Sequence, residues 1–242
     1  MIGDITTWNL VALAVALFIG ATAQGVVGLG VGLLFAPIAG LLEPSLLPGV
    51  ALYLAAIYPA FTLTRDVRHV DWRGLGWALP ARVPGTAVGV AIVALVSDRF
   101  IAIGVGVMVL VAVALTVRTV TVPVNRGTLA VTGFVSGVTG TATSIGGPPM
   151  ALLYQRREPD QSRATLGVYF LVGAILSLVG LALTGQLQAR DGVIALALSP
   201  VLVLAFLLSG LLRRRVRAST VRAGMLSICA IGAAVLVVRN VI

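Results

Sequence analysis

The sequence lacks the residues from which disulfides and most metal sites are built. It contains one cysteine, Cys229, within an apolar run, and one histidine, His69, among loop charges. A single cysteine cannot form a disulfide framework or a cysteine-ligated metal site, and His69 has no second histidine with which to share a metal. We therefore expect no zinc, haem or other cofactor.

Charge is scarce as well. Lysine is absent, so arginine supplies all 17 basic residues, a bias that we attribute to codon usage. Charged residues make up 10% of the 242 residues and hydrophobic residues 59%, with a mean hydropathy of +1.08, whereas a soluble domain carries about 25% charged residues. This composition excludes a soluble enzyme or binding module and predicts an all-α integral membrane protein. The net charge of +9 is scattered between apolar runs, so we expect no nucleic-acid partner.

The apolar residues fall into ten segments, arranged as two sets of five. Spanning the hydrocarbon takes about 20 helical residues, which the third, fourth and fifth segments of each set supply or nearly supply. The first two segments of each set are too short to span. The segments cover residues 8–23, 32–42, 45–64, 74–96, 100–117, 127–139, 146–154, 164–185, 192–212 and 220–238.

Glycine-rich stretches join the two short segments of each set. They lie at residues 25–32 and 137–149. Backbone groups outside a helix are costly in hydrocarbon, so such breaks persist only where protein or a water-filled cavity surrounds them. Each short pair is therefore predicted to form a broken or re-entrant hairpin with a buried tip.

The two sets also align with each other, which predicts an internal duplication. We assign residues 1–120 to the first transmembrane repeat and residues 121–242 to the second, and together they form one membrane domain. A shift of 112 residues superposes three pairs of positions, and a shift of 116 superposes two more. The pairs are Gly25 and Gly137, Gly28 and Gly140, Pro37 and Pro149, Tyr53 and Tyr169, and Pro84 and Pro200.

The arginines predict the orientation of the chain, because arginines in short loops concentrate on the cytoplasmic side. Alternating the crossings leaves Arg99, Arg190 and Arg239 on the outer side. Both termini then face outward, and corresponding segments of the two repeats run in opposite directions, so the repeats are inverted. The cytoplasmic arginines are Arg65, Arg68, Arg73, Arg118, Arg126, Arg156, Arg157, Arg163, Arg213, Arg214, Arg215, Arg217 and Arg222.

The two breaks are the candidate binding site. Helix starts at the breaks direct N–H groups and positive dipole ends toward a cavity between the repeats, which suits an anion. Counted from Gln24, the first break offers one amide, and counted from Ser136, the second offers five hydroxyls; such groups coordinate an oxyanion without a fixed countercharge. The alternative is that the glycines only let helices pack closely. The candidate residues in the breaks are Gln24, Gly25, Gly28, Gly30, Gly32, Gly137, Thr139, Gly140, Thr141, Thr143, Ser144, Gly146, Gly147 and Pro148.

Arg82 falls deep inside an apolar segment, between Pro80 and Pro84. A guanidinium in hydrocarbon is costly, so an intramembrane arginine is a candidate functional residue. The alternative is that Arg82 reaches the cytoplasmic headgroups or is satisfied by carbonyls that the prolines free. Our hypothesis is that Arg82 and the helix starts supply positive potential, while the hydroxyls of residues 139–144 contact the anion.

Acidic side chains are missing from the interiors of the apolar segments. All eight lie at segment ends or in loops, so no carboxylate proton relay is predicted. The serines and threonines of the breaks have no partner base, so we do not expect an enzyme. The acidic residues are Asp4, Glu43, Asp66, Asp71, Asp98, Glu158, Asp160 and Asp191.

Three motifs of the chain resemble those of the TauE/SafE family of membrane permeases. They are GVVGLGVGLLFAP at residues 25–37, Val70-Asp71-Trp72 before an apolar run, and GVTGTATSIGGPPMAL at residues 137–152. The resemblance covers nearly the whole chain and implies an exporter of anionic sulfur compounds or another small organic anion, with the first and third motifs lining the pathway. The matching positions are Gly25, Gly28, Gly30, Gly32, Pro37, Gly137, Gly140, Gly146, Gly147 and Pro148.

We therefore expect a multi-pass permease of the cell membrane that exports sulfite, sulfonates or related anions through a site at the midplane. Its expected partners are a small anionic substrate and membrane lipid. The sequence leaves open whether the protein forms a homodimer. One alternative is a cation-coupled importer, in which carbonyls at the breaks bind sodium. Another is a non-transporting membrane subunit whose cytoplasmic arginines hold anionic lipid.

Overall fold

A computed structural model describes residues 6–117, 122–213 and 215–241, and these residues form ten α-helices and no strand. The all-α prediction is confirmed. Short 3₁₀ helices at Pro44–Leu46 and Val67–His69 precede the third and fourth α-helices. The α-helices are α1 Thr7–Val27, α2 Val31–Leu42, α3 Gly49–Asp66, α4 Trp72–Leu95, α5 Asp98–Val117, α6 Arg126–Thr143, α7 Gly147–Tyr154, α8 Pro159–Leu183, α9 Ala189–Leu212 and α10 Ala218–Val241.

Five of the described helices are long and apolar enough to cross a membrane, namely α1, α4, α8, α9 and α10. Large apolar side chains project from the outer surface of several helices, among them Leu95, Leu183, Leu196 and Ile231. An exposed apolar belt of this extent is typical of a surface that contacts lipid. Helix α1 was expected to be too short to span, but its 21 residues correct that expectation.

The two helix breaks are shorter than the glycine-rich stretches predicted. Helix α1 continues through Gly25 and ends at Gly28, whose φ of 84° is left-handed. Helix α6 continues to Thr143 and ends at Ser144, which has a φ of 60°. Continued helix satisfies backbone groups that hydrocarbon would leave unpaired, so each break shrinks to three residues. Gly25, Gly137, Thr139, Gly140, Thr141 and Thr143 therefore lie inside helices rather than in breaks.

Each break folds a short helix back along the longer one before it. Helix α2 packs on α1, where a Cβ atom at Gly20 would lie 3.2 Å from Leu34 Cβ. Helix α7 packs on α6, where a Cβ atom at Gly140 would lie 3.1 Å from Gly146 Cα. Both distances are shorter than most Cβ contacts, so glycine permits these approaches without a shift of the neighbouring atoms. Both short pairs are thus helical hairpins.

Helix contacts recur when each helix is replaced by the one five places along the chain. The contact between α1 and α9 corresponds to the contact between α6 and α4. The contact between α3 and α9 corresponds in the same way to the contact between α8 and α4. The pairs α3–α8 and α5–α10 map onto themselves. This exchange is the pattern that a duplicated five-helix unit predicts. The boundary assigned at residues 120 and 121 lies outside the described residues.

The described ends of the chain lie at the same end of the molecule. Side chains near both termini contact the region after α2 or the start of α5. The contacts are Asn9 Nδ2 to Glu43 Oε1 at 2.9 Å, Arg239 Nη1 to the Leu41 carbonyl at 2.9 Å, and Arg99 Nε to the Asn240 carbonyl at 2.7 Å.

The opposite end gathers the loops before α4, α6 and α8. Tyr154 donates a hydrogen bond to Asp71 at 2.8 Å, and Arg126 stacks over Trp77 at 5.0 Å. Burial and the Asp71 carboxylate raise the pKa of the Tyr154 phenol, so it remains a hydrogen-bond donor at neutral pH. Of the arginines predicted to be cytoplasmic, Arg118, Arg214 and the side chain of Arg65 lie outside the described residues.

Candidate functional site

Both helix breaks open onto one cavity of about 40 Å³, which we call the central cavity. This volume has room for about three water-sized groups. The other lining residues are Leu29, Leu33, Leu52, Ala55, Ile145, Phe170 and Ala174. The predicted site residues that line it are Gln24, Gly30, Gly32, Arg82, Gly140, Ser144, Gly146, Gly147 and Pro148.

The two breaks contact each other beside this cavity. A Cβ atom at Gly32 would lie 2.6 Å from the Ser144 carbonyl oxygen, and one at Gly147 would overlap Leu29 Cδ1. The Ser144 hydroxyl donates a hydrogen bond at 3.0 Å to the carbonyl of Pro48, which precedes α3. Glycine at residues 32 and 147 therefore allows the halves of the chain to meet.

Arg82 is inside the protein and does not reach toward headgroups. Its side chain is only 3% exposed, and Nη1 donates to Ser136 Oγ at 3.2 Å. The guanidinium also lies 4.8 Å from the centre of the Tyr169 ring, a cation–π contact. Helix α4 continues through Pro80 and Pro84, so the prolines do not end the helix that carries Arg82.

Glycines on two neighbouring helices make room for the guanidinium. A Cβ atom at Gly173 would overlap Arg82 Cζ, and one at Gly140 would lie 2.8 Å from Nη2. Gly137 packs on the backbone of α4, where its Cβ atom would lie 2.5 Å from the Arg82 carbonyl. These glycines therefore have two roles. They allow the helices to pack closely, and they leave room for the Arg82 guanidinium.

The charge of Arg82 is not balanced by a carboxylate. Among the described residues Arg82 forms no ion pair, and its buried Nε has no hydrogen-bond partner. A buried cation without a counterion is costly, and a buried donor without an acceptor adds to that cost. An anion in the central cavity would offset the charge.

The helix starts at the cavity differ in what they can donate. The N–H of Val31, in the first turn of α2, already donates to Gln24 Oε1 at 2.9 Å. Helix α7 begins Gly147-Pro148-Pro149, and proline has no N–H. Helix α2 therefore offers the cavity more backbone donors than α7 does, and Gly32 and Leu33 are the residues of this turn that line the cavity.

Two predicted residues of the first break lie away from the central cavity. A Cβ atom at Gly25 would overlap the Ser209 side chain and approach Tyr58 Oη at 2.5 Å. Gly28 lines a second, smaller cavity of about 10 Å³ with Arg163 and Gln24. Gln24 lines both cavities and so lies between them.

The threonines of α6 do not line the central cavity. Thr139 and Thr143 donate to carbonyls one turn back, Val135 at 3.0 Å and Thr139 at 2.7 Å. The Thr141 hydroxyl pairs with Ser177 at 2.8 Å. Such bonds occupy these hydroxyls within the helices. Ser144 alone among the hydroxyls of residues 139–144 reaches the cavity lining.

Several residues around Arg82 were missing from the predicted site. Ser136 bridges Arg82 and the Gly146 carbonyl, and Tyr169 supplies the stacking ring. The repeat alignment held one signal, since Tyr169 corresponds to Tyr53. Gly173 gave no signal, because its role depends on α8 meeting α4 in three dimensions.

The described residues include no group of three or more histidine, cysteine, aspartate or glutamate side chains that could hold a metal ion. The polar groups at the central cavity are a guanidinium, an amide, a hydroxyl and backbone groups. Donors of this kind bind anions.

Comparison with known proteins gives the family. The family model described as Sulfite exporter TauE/SafE matches residues 12–236. The chain belongs to the TauE/SafE family. Members of this family are transporters rather than enzymes, and together with the five apolar helices this makes the chain a multi-pass membrane anion permease. The resemblance seen in its motifs is thereby confirmed.

A curated relative covers most of the chain. The probable sulfite/organosulfonate exporter TauE of Cupriavidus necator is 25% identical over 210 residues, which are 82% of each chain. No solved structure matches this TauE/SafE protein.

Proposed function

We propose that this permease exports small sulfur oxyanions, sulfite and short sulfonates, through the central cavity. The observation that carries the proposal is that Arg82 and both helix breaks line one cavity, with one break from each half of the chain. Sulfite and a sulfonate headgroup each present three oxygens on one sulfur. A cavity with room for about three water-sized groups matches such a headgroup.

Arg82 is the group that attracts the anion in this proposal. Ser136 and Tyr169 hold its guanidinium at the cavity wall, while Nε remains available as a donor. The start of α2 adds a positive helix end, whereas the Ser144 hydroxyl already donates its proton to the Pro48 carbonyl. No carboxylate lines the cavity among the described residues, so an anion meets no fixed negative charge there.

The two halves, residues 1–120 and 121–242, act as inverted repeats in this proposal. Movement of one repeat against the other would open the central cavity to each side of the membrane in turn. Two observations support this arrangement: helix contacts exchange between the halves, and the described chain ends lie together, opposite the arginine-rich loops. Both termini then face outward from the cell membrane.

Export needs no coupling ion in this scheme. An inside-negative potential of roughly 100 mV drives one anionic charge outward by about 2.3 kcal/mol. The absence of a carboxylate from the described cavity lining agrees with transport that is not linked to a proton relay.

The test is efflux of sulfite, taurine and sulfoacetate from proteoliposomes under an imposed potential. Truncating one partner of a buried charged contact typically costs about 2–5 kcal/mol, so Arg82→Gln should reduce the rate by about 30-fold or more. Arg126→Gln is the control, because Arg126 stacks over Trp77 outside the cavity. Equal rates for Arg82→Gln and the wild-type protein would contradict the proposal.

A further inference from the structure

A larger cavity of about 430 Å³ lies beside the first break, between α7, α8 and α10. Arg157, Arg163 and Arg222 line it, and none of its described lining residues is acidic. We call it the arginine-lined cavity. Its volume falls within the range of small-molecule sites, about 300–1,000 Å³. None of its arginines belongs to the site proposed above.

Two long helices begin at this cavity and add to its positive potential. Pro159 and Ala218 are the first residues of α8 and α10, and both line the cavity. Helix starts carry partial positive charge. One carboxylate offsets this charge in part, because Arg163 forms an ion pair with exposed Asp160. Three guanidinium groups line the cavity, whereas the neighbouring carboxylates of Asp160, Glu158 and Asp71 lie outside its lining, so the wall itself is cationic.

Much of the remaining wall is apolar, although Gln155, Ser162 and Ser219 also line the cavity. Val26, Leu29, Met225 and Leu226 are all buried hydrophobic residues that line the cavity. Arginines on one part of a wall and aliphatic side chains on another suit a ligand with a charged head and a short apolar body. Inorganic sulfite would use only the cationic part.

Leu29 connects this cavity with the central one. It lines both cavities, and its side chain contacts Gly147 of the second break. A molecule in the arginine-lined cavity is therefore separated from Arg82 by the first break and the Leu29 side chain.

We propose that the arginine-lined cavity is a second anion site, which binds short organic sulfonates before they pass Leu29 to the central cavity. The second step rests on the function proposed above, whereas binding does not. The site discriminates among substrates by their apolar bodies.

The binding test uses purified full-length protein and the series methanesulfonate, ethanesulfonate and propanesulfonate. Burial of one methylene is worth about 0.8 kcal/mol, so affinity should rise about fourfold with each added carbon. Replacing two charged donors, in the double variant Arg157→Gln/Arg222→Gln, should weaken propanesulfonate binding by about tenfold or more. Arg215→Gln, an exposed arginine outside the cavity, is the control and should bind as the wild-type protein does.

A second variant separates this proposal from the first. Arg82→Gln should lose efflux yet keep propanesulfonate binding that depends on Arg157 and Arg222. If the double variant binds and transports like Arg215→Gln, the second site is refuted while the function stands. If the wild-type protein transports no anion but binding still depends on Arg157 and Arg222, the exporter proposal fails and the site stands.

Membrane lipid offers the same chemistry, an anionic head on an apolar body. Mass spectrometry of the purified protein distinguishes the two sources. Phospholipid that copurifies with the wild-type protein, is lost from the double variant and is not displaced by propanesulfonate would overturn the proposal in favour of a lipid site.

Discussion

The position of the Arg82 guanidinium depends on a glycine, Gly173, on the neighbouring helix α8. A Cβ atom at Gly173 would overlap the guanidinium, so Gly173→Ala should displace it from Ser136 and Tyr169. Overpacking a buried site costs about 1–3 kcal/mol, and we expect a lower melting temperature together with slower sulfite efflux. Gly167→Ala on the same helix is the matched control, since its Cβ atom would meet Thr62 Oγ1 at 3.7 Å, an ordinary contact. Unchanged efflux in Gly173→Ala would show that the guanidinium position does not matter.

Arg82 was the site residue that the sequence marked most clearly, because a charge within an apolar segment needs an explanation. The sequence could not show that the charge is held by Ser136 and Tyr169, which lie on two other helices. The hypothesis drawn from the sequence also gave the threonine hydroxyls of α6 too large a role in contacting the anion. Thr139 and Thr143 donate to carbonyls one turn back, and Thr141 pairs with Ser177 of α8; hydropathy does not report such bonds.

At the scale of single elements, Gly28 decides where α1 ends. Its φ of 84° is left-handed, a conformation that costs other residues about 1–2 kcal/mol. We expect Gly28→Ala to lower the melting temperature of the purified protein. Gly232→Ala in α10 is the comparison: no atom lies within 4 Å of its Cβ position, and alanine is favoured over glycine in a helix by about 0.5–1 kcal/mol. A Gly28→Ala protein as stable as Gly232→Ala would mean that α1 can end elsewhere.

The sequence predicted the number of helices well and their ends poorly. Long apolar runs identify helices because hydrocarbon enforces internal hydrogen bonding. The same physics extends helices through glycine, so α1 and α6 run past Gly25 and Gly137. Composition located the breaks, but only the left-handed backbone at Gly28 and Ser144 sets where they begin.

At the scale of the whole molecule, the inverted arrangement predicts that both chain ends face outward. A membrane-impermeant maleimide should label Thr6→Cys and Asn240→Cys in intact cells. Arg215→Cys should react only after the membrane is permeabilised. The wild-type chain is the blank, since Cys229 is fully buried. Labelling of one terminus alone in intact cells would exclude the arrangement.

Spacing in the sequence predicts the duplication, whereas it does not predict how the two halves meet. Matched glycines 112 residues apart indicate two related units, but they do not tell which surfaces touch. The structure adds helix α3 packed on its counterpart α8 and break packed on break. Contacts of this kind depend on how a few atoms fit together, and related helices can pack against each other in several ways.

The contact between Leu29 and Gly147 ties the evolution of one half of the chain to that of the other. A larger residue at position 147 would require the Leu29 side chain to move or to be replaced by a smaller one. A substitution at one of these positions therefore changes what the other position can accept.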